Sequence, residues 1–447
     1  MHRTLRRPTT LVAGGLIIAL TVPLASCAGG DGNSSGQAGE VDGSTITVGV
    51  ISQLESQFQL YANAYMEEYP DRKVEIRSIS DDFEKYSQLL ATSRLGDSLP
   101  DVFFNVDFLA DTLADNNVTL DLAPGLAENK AGLDLEEFLP QFVGQYRPIS
   151  DPDAVTGLPV SADSTALVYN KTLFDQVGVT EYPQDDWTWE DYYRVSAQIQ
   201  EKSGGDIYGT VAPLMDGASL VTFGPVITAA GGTIYDPETN TSDISSPDAL
   251  AAWESMINFY GTASGAYTTS ADDPSLKFES GKVAMNITSR ASISGMRETM
   301  ADYEWDVARM PTVDGTHVSG GGSYGLSIGQ TSSNQDAAWE FLGWFYDPEG
   351  GLAVAQTPEG GGIIPPTATG LSEGTWQDAE TPANLKVYAV AAEDAVLLPQ
   401  LPGTAGSVLT DAVRTAVQEV ILNGKSVEDA FTTAQQTVDE ALAAAKP

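Results

Sequence analysis

Between Thr45 and Phe104 the chain reads as strand, helix, strand, helix, strand, an order that admits few folds. Ile46, Val48 and Val50 alternate with Thr47 and Gly49, the period of a strand. Gln59 to Tyr69 carries apolar residues at helical spacing (Leu60, Ala64, Met66) and stops at Tyr69-Pro70, where proline ends a helix. Val74-Glu75-Ile76 returns as a strand, Phe83 to Leu95 as an amphipathic helix closed by Gly96, and Val102-Phe103-Phe104 as a third, apolar strand. This alternation predicts a parallel sheet with right-handed crossovers. In such sheets ligands bind beyond the carboxyl ends of the strands. That rule points to Ile51–Glu55, with Gln53 and Glu55, and to Asn105–Phe108, with Asn105 and Asp107.

Helices and strands alternate again from Ser161 onward, with helices predicted over Trp189–Lys202, Leu220–Ala230 and Ser246–Tyr260. Thr188, followed three places on by Asp191, is a capping-box pattern, so Trp187 and Trp189 read as packing at a helix start. Ala405 to Ala444 reads as two amphipathic helices broken at Asn423-Gly424, and no internal repeat is visible.

Ahead of the first strand, the chain opens with Arg3, Arg6 and Arg7 and then an apolar run from Leu11 to Ala25, interrupted by Gly14, Gly15, Thr21 and Pro23. The run is short of the roughly 20 residues a spanning helix needs. A basic start, an apolar middle and a small-residue exit are the anatomy of a secretory signal peptide, here residues 1–26. Cys27, the single cysteine, follows Leu24-Ala25-Ser26. The tetrapeptide resembles the lipobox of bacterial lipoproteins, which implies that the Cys27 thiol receives a lipid and holds the protein on the outer face of the cell membrane. Residues 27–44 are glycine- and serine-rich and read as a flexible tether.

About 400 residues remain, enough for two domains. Without the leader's three arginines the balance is 19 basic against 62 acidic residues, −43. Charge of that sign repels nucleic acid and anionic headgroups, so neither is expected as a partner. Beyond the leader the one histidine is His317, expected to be solvent-exposed, which argues against a histidine-based triad or a zinc site. No cofactor is expected. A carboxylate pair of the kind that hydrolyses glycosides is not excluded by composition.

The segment Gly157–Val179, GLPVSADSTALVYNKTLFDQVGV, resembles the signature of the sugar-binding lipoproteins of bacterial ABC importers, the family of the maltodextrin-binding protein. Other stretches follow in the same order. They are Tyr69-Pro70, Gly96–Asp101, Phe278–Met285, Ala337–Phe341, Gly362–Pro366, Ala412–Val417 and Gly424–Ala430, so that the likeness covers most of residues 45–444.

The resemblance implies an α/β fold of two hinged lobes, the type II periplasmic-binding-protein architecture, with the ligand cleft between them. One lobe would comprise 45–158 and 324–372, the other 159–323 and 373–447. Crossings are implied near Gly157-Leu158-Pro159, near Gly320–Tyr324 and after the Ala337 helix, glycine suiting a hinge by its tolerance of φ/ψ change. Aligned on the same motifs, Asp163 falls at a sugar-contacting glutamate, Gln53 at a contacting aspartate, and Asn105 at a stacking tryptophan with Asp107 two places on. Ser219 and Thr222 fall among further contacts, Arg290 near a second stacking tryptophan, and Ser323 and Tyr324 in the second crossing. Several aromatic platforms are thus replaced by polar residues, which sets this chain apart from a binder of linear maltodextrin. Phe58, Phe108, Phe223, Tyr324 and Trp376 are the candidates to stack on a ligand instead, each equally placed to be core.

The function implied is capture of a sugar outside the membrane, as a monomer, and its delivery to the permease subunits of an ABC importer. A secreted carboxylate-dependent hydrolase, or the same fold holding a polyol, phosphosugar or peptide, remain open. The lipobox makes a direct prediction: the mature protein fractionates with membranes, and Cys27→Ala releases it to the soluble fraction, as immunoblots of the two fractions will show.

Overall fold

Strand β1 (Thr45–Ile51) is buried along nearly its whole length, so it lies in the interior of a sheet. It pairs in parallel with β2 (Lys73–Ser80) on one side and β3 (Val102–Val106) on the other, Val48 facing both Ile76 and Val102. The crossovers are α1 (Glu55–Glu68), which stops at Tyr69-Pro70, and α2 (Phe83–Leu95), which starts where the Asp82 carboxylate accepts the Lys85 N–H. These elements come from a computed structural model that describes residues 45–210, 219–261, 277–378 and 381–445; Cys27, the leader and the tether lie outside them. No helix among the described residues is long and apolar enough to cross a membrane.

The sheet is not parallel throughout. Its order is β2-β1-β3-β11-β4, and β11 (Tyr324–Ile328) runs antiparallel to both β3 and β4 (Leu158–Pro159). A segment more than 200 residues distant in sequence therefore completes the sheet. Leu326 and Ile328 of β11 join Val48, Val102, Phe103 and Phe345 in one core.

A second sheet is built around β5 (Asp163–Asn170), every residue of which is buried. Antiparallel to β5 lie β8 (Met285–Ser289), β9 (Trp305–Ala308) and β10 (Gly321–Gly322). Alternate β5 residues serve different cores: Leu167 and Tyr169 pack with Trp253, Phe223 and Phe431, while Ala166 and Val168 pack with Phe278, Trp305 and Tyr388. The hairpin β6 (Thr233–Asp236) and β7 (Thr241–Asp243) lies outside both sheets. The helix Trp189–Lys202 begins at the capping box of Thr188 and Asp191, and both Trp187 and Trp189 are buried in the core. The helices Ala405–Asn423 and Val427–Ala444 are separated by Gly424 in the left-handed region, as the Asn423-Gly424 signal predicts.

The result is two α/β lobes. The chain passes between them where neighbouring residues change core: Val160 belongs to the first lobe and Ala162 to the second, Val318 to the second and Leu326 to the first, Ile363 to the first and Ile364 to the second. The passages lie side by side, Ala162 N–H donating to Ile364 O at 2.9 Å and Val160 N–H to Tyr324 O at 2.8 Å.

Glycine serves the crossings differently from the expectation. At Gly157, Gly320 and Gly322 φ is ordinary, and what excludes a side chain is space. A Cβ on Gly320 would stand 1.6 Å from Val221 O, and one on Gly322 2.5 Å from an Asp107 carboxylate oxygen. Only the third crossing uses the left-handed backbone, with φ +102° at Gly361 and +60° at Gly362. His317 also differs: it is half-buried, its Nδ1 3.1 Å from Met310 O, because the Val313–Thr316 turn brings it back toward the segment after β9.

Gly320→Ala is therefore expected to destabilise by on the order of 3 kcal/mol, since backbone rather than a movable side chain must yield. Gly295→Ala, inside a helix with nothing within 4 Å of the added Cβ, serves as the control in the same thermal melts and is expected to stabilise by about 0.5–1 kcal/mol.

Candidate ligand-binding site

Asp163 opens β5 just after the first crossing, and Arg290 follows β8, whose Ser289 pairs with Thr165 two places along. The register thus brings a carboxylate and a guanidinium, 127 residues apart, to one end of the second sheet. Arg290 is 3 % exposed, so each of its N–H groups needs an acceptor. Nε donates to Asp163 Oδ1 at 2.6 Å, Nη1 to Gly361 O and Gly362 O at 3.2 and 2.9 Å, and Nη2 to Ser161 Oγ at 3.2 Å as well as pairing with Asp163 Oδ1. Ser161 Oγ in turn donates to Asp163 Oδ1 at 2.8 Å. Every donor of Arg290 is spent on the protein. Among the described residues Asp163 Oδ2 accepts no hydrogen bond and is not sealed from solvent, although Asp163 is only 7 % exposed, so one acceptor of this carboxylate stays available beside the crossings.

The first lobe contributes the opposite wall. Gln57 of α1 donates from Nε2 to Gly360 O at 2.8 Å and to Tyr324 Oη at 3.1 Å, and Tyr61 Oη donates to the same Gly360 carbonyl. Tyr324 keeps partial exposure while burial pushes its phenol up to about 12, as expected of a group lining a recess. Beside it, at the carboxyl ends of β2 and β3, Phe83 and Phe108 are 38 % and 58 % exposed and meet edge to face at 5.2 Å.

The other expected residues divide. Ser323 lies within the second crossing, its Oγ donating to Tyr324 O and 3.5 Å from Ser161 N. Gln53 and Glu55 are exposed at the rim, Gln53 Nε2 donating to Asp81 O. Asn105 corrects the expectation: it is fully buried, donates to Ser327 Oγ at 3.0 Å and presents nothing to a solute, because its side chain points into the contact between β3 and β11. Thr222 is buried too, on the helix against which Gly320 packs. Ser219 begins that helix, and its side chain lies outside the described residues. Of the stacking candidates, Phe58, Phe223 and Trp376 are core, whereas Phe108 and Tyr324 retain exposure. Sequence reasoning did not single out Gln57, Tyr61 or Phe83. Phe83 was the findable one, an aromatic placed directly after a strand end.

Asp107 heads α3 (Asp107–Asp115) and accepts the Phe108 N–H on Oδ1 and the Ser323 N–H on Oδ2, which ties α3 to the second crossing. Its own atoms keep some exposure, but the protein surrounds it, and burial pushes the carboxyl up to about 6. The two backbone N–H bonds oppose that rise and the nearby Asp163 charge adds to it. The folded value lies above the unfolded one, so this group's favourable contribution is full below about pH 4 and lost as pH rises through about 6. A rise of that size corresponds to about 3 kcal/mol. Urea unfolding from pH 4 to 7 should show the wild type losing up to that much relative to Asp107→Asn; parallel profiles would show that the carboxyl is not strained.

Comparison with known proteins bears on this arrangement. Residues 51–352 match the family model described as bacterial extracellular solute-binding protein. A Brucella abortus protein named as a binding protein is 27 % identical over 314 residues, covering 68 % of this chain and 72 % of its own. Among solved structures, the ABC substrate-binding protein Lmo0181 of Listeria monocytogenes, in complex with cycloalternan, superposes with a TM-score of 0.74 at 21 % identity, over 89 % of this chain and 99 % of that one. UgpB of Mycobacterium tuberculosis, in complex with glycerophosphocholine, does so with a TM-score of 0.73 at 18 % identity, over 89 % and 98 %. With the family model spanning well over half its length and the two-lobed fold of such proteins, this chain belongs to the bacterial extracellular solute-binding protein family.

Proposed function

We propose that the protein is the substrate-binding component of an ABC importer, held on the cell membrane through Cys27, and that it captures a hydroxylated solute of the sugar or polyol kind. The observation that carries this is the available acceptor of Asp163, held in place by Arg290 where three crossings join two lobes. An ionised carboxylate accepts hydroxyl hydrogens in charge-assisted bonds. Gln57 and Tyr324 add polar groups from the opposite lobe, and Phe83 and Phe108 add apolar ring faces at the rim. Polar groups beside flat apolar faces match the two surfaces of a sugar ring.

Two similar structures support the class without choosing its member, one holding a cyclic oligosaccharide and the other a glycerophosphodiester. The lobe boundaries belong to the same proposal. The changes of core at Val160/Ala162 and Val318/Leu326 support the first two, and the change at Ile363/Ile364 draws the third from residue 372 toward 364. Binding is read as closure of the lobes without chemistry and without a cofactor, by a monomer that hands the solute to the permease subunits.

The test is a panel of sugars, polyols and their phosphate esters read by thermal shift and by chromatography for products. A cognate solute at a hundredfold excess over its Kd stabilises the folded form by about 2.7 kcal/mol, a rise of a few degrees. Product formation would instead favour the hydrolase. Asp163→Ala and Asp163→Asn both leave Arg290 buried without its counter-charge, at a cost of several kcal/mol, but Asp163→Asn retains an oxygen acceptor for the guanidinium and is the informative variant. It keeps the shape, and calorimetry should show affinity for the cognate solute weakened at least about tenfold.

A further inference from the structure

Arg297 lies one turn beyond Ser294 on the helix Ile293–Thr299 and is half-buried. Its Nε donates to Thr381 O at 2.6 Å. Among the described residues neither Nη makes a hydrogen bond and no carboxylate lies within ion-pairing distance of it. Burial, and then the neighbouring Arg290 charge, push its guanidinium below the ordinary value. Arg290 itself is matched by Asp163 and has no donor left for a ligand. The two arginines differ: among the described residues one charge is matched by a carboxylate and the other is not.

The ground beside Arg297 is open. Its Nη1 stands 3.3 Å, and Ser294 Oγ 3.2 Å, from where a Cβ on Gly362 would be, and glycine leaves that point vacant of side chain. The same bend is reached from the other lobe, Gln57 bonding Gly360 O while Ser294 Oγ bonds Gly361 O at 2.9 Å. Groups from both lobes therefore converge on Gly360–Gly362, and the guanidinium with unused N–H groups stands among them. A planar guanidinium donating two parallel N–H bonds matches a phosphate or carboxylate. Against a chain of net charge −40, attraction of an anion must be local rather than a property of the whole surface.

We propose that Arg297, beside the bend at Gly361–Gly362, is an anion-recognising position of the interlobe cleft, and that the hydroxylated solute carries a phosphate ester or carboxylate seated on it. This rests on the reading of the cleft given above and narrows its substrate class. The solute is a sugar or polyol with one acidic group, its hydroxyls directed to Asp163 and its anion to Arg297.

Matched pairs test it by calorimetry: glycerol against glycerol 3-phosphate and glycerophosphocholine, and glucose against glucose 1-phosphate and glucuronate. At least one acidic member should bind at least about tenfold tighter than its neutral parent, the phosphate and uronate arms separating the two anions. Arg297→Met should erase that preference and Arg297→Lys should retain part of it, with melting temperatures close to wild type. Neutral parents binding as tightly as their acidic partners, or a preference that survives in Arg297→Met, would overturn the subsite while leaving the sugar-binding reading intact. Glu380 adjoins Thr381 in sequence. Equal losses of melting temperature in Glu380→Gln and Arg297→Met, with affinities unmoved, would make Arg297 a structural ion-pair member and also overturn it. Binding by no member of an extended sugar and polyol panel would sink the parent reading itself.

Discussion

The contact on which the rest of the molecule turns is the buried Arg290–Asp163 pair. Arg290 is anchored at the end of β8, yet its donors reach Ser161 and Asp163 at the first crossing and the carbonyls of Gly361 and Gly362 at the third. One guanidinium thereby fixes the second sheet to two of the three chain passages. A buried ion pair is weak as a source of net stability, because desolvation offsets much of the attraction, but removing one partner leaves an uncompensated charge. Its value here is positional. It holds one oxygen of Asp163 inward and leaves the other available.

Separate cores in the two lobes, one in the first and two flanking β5 in the second, leave room for lobe movement. Most apolar side chains are buried within their own lobe, Phe142 being an exception that packs with Ala162 and Tyr388, and the passages contribute backbone hydrogen bonds and polar side chains. Motion between such bodies is the ordinary expectation. The glycines at the first two passages do not make them loose: they allow strands, a helix carbonyl and the Asp107 carboxylate to approach more closely than any Cβ would allow. Conformational change is better accommodated at Gly361 and Gly362, which already occupy the left-handed region.

The cleft joins unlike chemistries because its walls come from unlike elements. Strand ends of the first lobe present Phe83, Phe108 and Tyr324, while the second lobe contributes the Asp163 carboxylate and the Arg297 guanidinium. Ring faces on one side and charged groups on the other suit a small solute having both an apolar ring face and polar substituents.

Much of the local structure was legible in advance, for reasons confined to a few residues. α2 runs over the predicted Phe83–Leu95, and the helix at Trp189 starts at its capping box, since caps and the 3.6-residue period act within a turn or two. Asp163 stood out through the Gly157–Val179 signature. The sequence did not reveal that β11 inserts antiparallel between β3 and β4, nor that Asn105 faces Ser327, 222 residues away, and is sealed. Nor did it reveal that Arg290 spends its donors on Asp163, 127 residues distant, or that Gln57 meets a carbonyl 303 residues on. Sequence alone determined the alternation of strands and helices and several of their ends, because those follow from short-range periodicity and capping, while the two-lobe order was implied by the family resemblance. Which polar groups face one another, and which keep an atom free for a solute, was decided only by the tertiary structure, because partners hundreds of residues apart meet only once strand register and the three crossings are set.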